Sequence, residues 1–89
     1  MNEVKKMEKE KLSIAIDELV RAVYTSDQKD IDRMFINFLE TLEVYMNTGC
    51  LFDDGINEKL IALQQAYINK DYITMCDVLL YDIKEVNLS

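Results

Sequence analysis

Between Ile31 and Tyr45 the large apolar side chains Ile31, Phe35, Phe38, Leu42 and Tyr45 recur at spacings of four, three, four and three. Residues so spaced share one face of an α-helix. Met34, Leu39 and Met46 widen that face, while Asp32, Arg33, Asn37, Glu40 and Glu43 fall mostly outside it. A helix with this much apolar surface on one side has to be covered by other parts of the chain.

Three more segments carry the same kind of stripe. The first, residues 3–24, opens on alternating lysine and glutamate with only Val4 and Met7 as apolar residues, so its early turns are expected to project or fray. From Leu12 the stripe is Leu12, Ile16, Leu19 and Val23, flanked by Ile14, Ala15, Val20 and Ala22. Glu3–Lys6, Glu8–Lys11 and Asp17–Arg21 have ion-pair spacing for a helix surface, each worth only a few tenths of a kcal/mol. The third segment, Ile56–Ile68, carries Ile56, Leu60, Leu63 and Tyr67. The fourth, residues 72–86, carries Tyr72, Cys76, Leu79, Ile83 and Val86.

The connections have helix-start chemistry. Ser26 or Asp27 suits the N-cap of the second helix, and Asp27, Asp30 and Asp32 suit the positive end of its dipole. The same three carboxylates invite a divalent-cation reading, but capping accounts for them without an ion. The second helix is expected to end near Asn47 or Thr48, with Gly49 supplying the left-handed residue that closes it. Residues 50–55 form the longest break. Its Leu51 and Phe52 fold back as a lid over the bundle end or serve as a hook for a partner, and Asp53 or Asp54 is the expected N-cap of the third helix. Asn69-Lys70-Asp71 makes a tight turn with Asp71 as the N-cap of the fourth.

The stripes match in pairs. A shift of 41 places Ile31, Phe35, Phe38, Leu42 and Tyr45 on Tyr72, Cys76, Leu79, Ile83 and Val86. A shift of 44 places Leu12, Ile16, Leu19 and Val23 on Ile56, Leu60, Leu63 and Tyr67, and Ala22 on Ala66. A true hairpin repeat and the spacing common to any two amphipathic helices both fit this match. Either way the expected fold is all-α: a compact antiparallel four-helix bundle made of two helical hairpins, one domain over residues 1–89. A short array of the tetratricopeptide kind is the second choice, on the hairpin pattern of residues 66–72.

Composition agrees with long helices. The 89 residues include no proline and two glycines, and at 49% apolar the chain is too hydrophobic for a disordered tail. A domain of this length buries only about 60–65% of the surface its unfolded chain exposes. The net charge of −7 argues against nucleic acid or an anionic membrane as partner and favours a basic protein face. The N-terminal stretch is charged and lacks an apolar signal core, and no segment approaches the ~20 apolar residues of a membrane span, so the expected location is the cytoplasm. Cys50 and Cys76 read as reduced thiols, Cys76 packed in the core and Cys50 exposed.

Catalytic chemistry has little to work with. The chain has no histidine, which removes the commonest general base and most zinc and haem ligand sets. It holds no glycine-rich phosphate cradle and no helical metal-ligand motif. Glu40 and Glu43 read as part of a solvated face rather than an acid–base pair. The chain is therefore read as no enzyme, with no cofactor and no metal.

A binding role remains. Ile36 and Val44 on the second helix, Ile61 and Ile68 on the third and Tyr81 on the fourth lie off the stripes; with Leu51 and Phe52 they form the candidate partner surface. The expected function is a non-enzymatic protein–protein interaction or regulatory protein, docking a helical partner on the second and third helices or pairing with itself as a homodimer. The alternative is a secretion- or flagellar-type export chaperone holding a client's amphipathic helix in a groove. An acidic mimic that blocks a nucleic-acid-binding protein ranks lower, because Lys59, Lys70 and Lys84 interrupt the carboxylates.

Residues 63–86, LQQAYINKDYITMCDVLLYDIKEV, resemble the end of short, uncharacterised helical proteins of bacteria, in which an alanine, a Lys-Asp-Tyr turn and an apolar-acidic final helix recur. The match covers about a quarter of the chain, and it departs from that pattern at Cys76, where alanine is usual, and at Asp82, where glutamate is usual. The resemblance implies a bacterial cytosolic helical protein and no assigned activity.

Overall fold

The computed structural model describes the backbone of residues 2–25, 27–48 and 54–88, with side chains for all of these except residues 2–5, 86 and 87. Every regular element among them is helical: α1 (Asn2–Thr25), α2 (Gln28–Asn47), α3 (Ile56–Ile68) and α4 (Tyr72–Asp77), which continues unbroken as a π-helical segment, Val78–Leu88. The all-α expectation holds, as does the division into two hairpins. The chain separates into two compact units, Met1–Leu51 and Phe52–Ser89.

In the first unit α1 packs along α2. The stripe read for α2 is the buried one: Ile31, Phe35, Phe38, Leu42 and Tyr45 are all buried. On α1, Leu12, Ile16 and Leu19 are buried with Ala15, Val20 and Ala22, while Val23 is half-buried. Small residues beside the leucines let a neighbouring helix approach closely without leaving voids. Two flanking residues depart from expectation. Ile14 lies about half a turn from Ile16 and is exposed, and Met46 is exposed rather than part of the broad apolar face. The charged start of α1 is helical from Asn2.

The short connection between α1 and α2 works because its polar groups are satisfied locally. Asp27 is extended, and its Oδ1 accepts from the Lys29 backbone N–H at 3.0 Å. Its carbonyl accepts from Ile31 N–H at 2.9 Å and starts the helical ladder. The Arg33 guanidinium donates to Asp30 at 2.8 Å, and the Gln28 amide donates to Asp32 at 2.9 Å. These acids cap and pair, as the sequence reading of the cluster expects; Ser26 lies outside the described residues. Thr48 closes α2, its hydroxyl donating to the Tyr45 carbonyl at 2.6 Å, and Gly49 lies outside the described residues.

In the second unit α3 packs against both parts of the last helix. Ile56, Leu63 and Ala66 are buried, while Leu60 and Tyr67 are half-buried. The residue at the N-cap position of α3 is Gly55, with no side-chain cap bond; Asp54 is exposed one residue earlier, and Asp53 lies outside the described residues. The expected aspartate cap is thus corrected at Asp54. Asp71 does cap α4: it accepts from the Thr74 N–H at 3.3 Å and from the Thr74 hydroxyl at 2.7 Å.

The turn joining α3 to α4 is a complete Schellman motif. Lys70 N–H donates to the Tyr67 carbonyl at 3.1 Å, and Asp71 N–H donates to the Ala66 carbonyl at 2.8 Å. The motif needs a left-handed residue after the cap, and Lys70 supplies it with φ of 57°. Glycine takes that conformation without the Cβ clash lysine suffers, so the position carries strain that the two hydrogen bonds offset.

The last helix departs most from expectation. Its buried residues are Met75, Val78, Leu79, Ile83 and Leu88. Cys76, expected in the core, is half-buried, and Met75 takes the buried place one position earlier. An i→i+5 ladder holds more residues per turn than the α-helix's ~3.6, so residues four and five apart share a face. Met75, Leu79, Ile83 and Leu88 are spaced four, four and five, which suits that wider winding. In an α-helix Leu88 would lie well over a third of a turn from Ile83; in the π segment both are buried. Lys59 of α3 donates to the Asp82 carbonyl of this segment at 3.5 Å.

Candidate interaction surface

The seven residues singled out from the sequence divide between the two units. Ile36 and Val44 are on α2, 56% and 48% exposed. Ile61 and Ile68 are on α3, 55% and 74% exposed, and Tyr81 is exposed on the π segment. Leu51 and Phe52 lie outside the described residues. Within each helix the exposed pair is set by spacing. Ile36 and Val44 are eight apart and Ile61 and Ile68 seven apart, so each pair lies along one side of its helix. That side faces away from the buried stripe: Ile61 is about half a turn from Leu63.

Other exposed apolar side chains went unnoticed in the sequence. Met7 and Ile14 are seven apart on the outer side of α1, where they read as a weak start and a flank. Ile73, 79% exposed, opens α4 just beyond the turn that follows Ile68. The seven-residue spacing of Met7 and Ile14 is the signal that would have found the first pair.

Charge sets the α2 face apart from the others. From Met34 to Glu58 the chain has no lysine or arginine. Glu40 and Glu43 are exposed and lie between Ile36 and Val44 on the same side of α2. The side-chain ion pairs Glu8–Lys11 at 3.5 Å and Asp30–Arg33 at 2.8 Å do not use Glu40 or Glu43. The α2 outer face presents two branched aliphatic side chains and two carboxylates that, among the described residues, carry no cation.

Two open concavities border α1 and α2. One, of about 310 Å³, is lined by Glu18, Arg21, Ala22, Thr25, Asp30, Arg33 and Met34. Its acids and bases balance, and Arg33 is already held by Asp30. The other, of about 270 Å³, is lined by Glu8, Lys11, Asn37, Glu40, Thr41 and Val44. Here Lys11 is paired with Glu8, the Thr41 hydroxyl donates back to the Asn37 carbonyl at 2.8 Å, and Glu40 faces the opening beside Val44. The second concavity is lined chiefly by charged and polar side chains, while Ala22 and Met34 also line the first.

Titration adds little chemistry. Burial, then the neighbouring Asp77 carboxylate, push the half-buried Cys76 thiol above its ordinary value, which lowers its thiolate fraction and its reactivity. The Thr74 hydroxyl and backbone N–H hold Asp71 below its ordinary value of 3.8, as expected of a capping carboxylate. Among the described residues no group of three or more Cys, Asp or Glu side chains is placed to hold a metal ion, and no helix is long and apolar enough to cross a membrane.

No family model, curated protein or solved structure matches the chain.

Proposed function

We propose that this chain is a non-enzymatic protein-binding or regulatory protein of the bacterial cytoplasm, acting through the outer faces of its helices. The observation that carries the reading is the exposed pairs Ile36–Val44 and Ile61–Ile68, each at one-face spacing on a helix whose opposite side is buried. A chain this short gains from covering such side chains, because burying one aliphatic side chain is worth about 1.5–3 kcal/mol. A helical partner and a second copy of the chain are the two ways to cover them. The export-chaperone reading needs an apolar groove, and the concavity lined by Glu8, Lys11, Asn37, Glu40, Thr41 and Val44 does not favour it.

Affinity capture of the full chain from its native cell, with analytical ultracentrifugation of the purified protein, tests the reading. The expected result is a specific protein partner or a reversible dimer, lost when Ile36 and Ile61 are changed together to serine. A clean monomer that captures no protein overturns it.

A further inference from the structure

The α2 outer face goes further, because its charge restricts what can cover it. Ile36, Glu40, Glu43 and Val44 form one strip about 12 Å long on the helix axis. The aliphatic residues stand at its ends, and between them lie two carboxylates that make no ion pair among the described residues. Glu40 also borders the concavity that Val44 lines, where the single lysine is occupied by Glu8.

A second copy presenting the same face would set Glu40 and Glu43 against their own counterparts. Like charges brought together while water is excluded are unfavourable, so two-fold self-pairing through this strip is opposed by its own charge. The net charge of −7 adds to that repulsion at longer range.

We infer that this strip docks an amphipathic helix of a basic partner protein, with apolar side chains seven or eight residues apart over Ile36 and Val44 and lysine or arginine between them opposite Glu40 and Glu43. The inference rests on the protein-binding reading and names its partner chemistry. A cation brought to Glu40 replaces a water-facing carboxylate with a charge-assisted pair at the mouth of the concavity, and the aliphatic ends fix the register of the docked helix.

The test uses the full chain, isotopically labelled, titrated by NMR with a synthetic leucine–lysine amphipathic helix of about five turns. A leucine–glutamate peptide of the same pattern serves as counter-probe. Expected are shifts centred on Ile36, Glu40, Glu43 and Val44 with the lysine peptide, none with the glutamate peptide, and affinity lower by about tenfold in Glu40→Lys/Glu43→Lys. The charge-matched variant Glu58→Lys/Asp77→Lys, which alters exposed acids of α3 and α4, should bind within about twofold of the parent. Circular dichroism confirms that both variants keep their helices. Equal losses in the two variants, or shifts centred elsewhere, overturn the inference. A captured native partner that contacts only Ile61 and Ile68 also overturns it while leaving the protein-binding reading intact. Silence from both peptides, with no captured partner and no dimer, overturns both.

Discussion

Phe35 and Cys76 hold equivalent places under the shift of 41 that relates the two hairpins, yet Phe35 is buried and Cys76 only half-buried. Several other equivalent pairs agree in their burial. Leu12 and Ile56, Leu19 and Leu63, Ala22 and Ala66, Phe38 and Leu79, and Leu42 and Ile83 are buried in both units. The hairpins part at other positions: Ile16 and Ile31 are buried, and their counterparts Leu60 and Tyr72 are half-buried. They also part in winding. The first unit keeps regular α-helices across its hairpin, while the second opens into a π segment that brings Leu88 onto the buried side. A shared stripe thus fixes which side of a helix is buried on average. The packing at each position and the winding of the helix decide how completely.

The sharpest way to break the comparison is to hollow the first core. Phe38→Ala should cost about 3–5 kcal/mol, a large share of the stability of so small a domain, read as a lower urea midpoint. Leu88→Ala comes next and tests the π segment directly. A leucine buried by the wider winding should cost about 2 kcal/mol or more to truncate, whereas on a regular α-helix it would face outward and cost under ~0.5 kcal/mol.

The caps sharpen the contrast on a smaller scale. Asp27→Ala should cost about 1 kcal/mol by freeing the Lys29 N–H that its side chain accepts from. Lys70→Gly should stabilise by about 0.5–1 kcal/mol, because glycine adopts the φ of 57° without a Cβ clash; a loss of stability would contradict the left-handed turn. The smallest effect is a pH dependence. Asp71 has a lowered folded pKa, so its contribution is present above the ordinary value of 3.8 and is lost as pH falls through the folded value. In paired urea titrations, Asp71→Asn should keep a cap and flatten the acid limb of stability relative to the parent. An unchanged acid limb would remove Asp71 from it.

Much of this was legible in the sequence. The bounds of α3, the end of α2, the full buried stripe of α2 and the caps at Asp27 and Asp71 all follow from residues within a turn or two of one another. The exposure of Ile36, Val44, Ile61, Ile68 and Tyr81 follows too, since these residues lie off the stripes read from the sequence. The Asp53 or Asp54 cap, read from the same local logic, did not follow at Asp54, because α3 starts one residue later and Gly55 takes the place. Met7 and Ile14 were missed because a charged start hides their shared side.

What the sequence determined alone is the set of helices, their turns and their average buried sides, because capping bonds and the α-helical period act between near neighbours. The tertiary structure decided the rest. A rotation of one residue, about 100°, exchanges Cys76 for Met75, and no local rule prefers one over the other; packing between α3 and the last helix chooses. The π winding is likewise a nonlocal result, since burying Leu88 repays the poorer ladder only where a neighbouring helix is present to cover it.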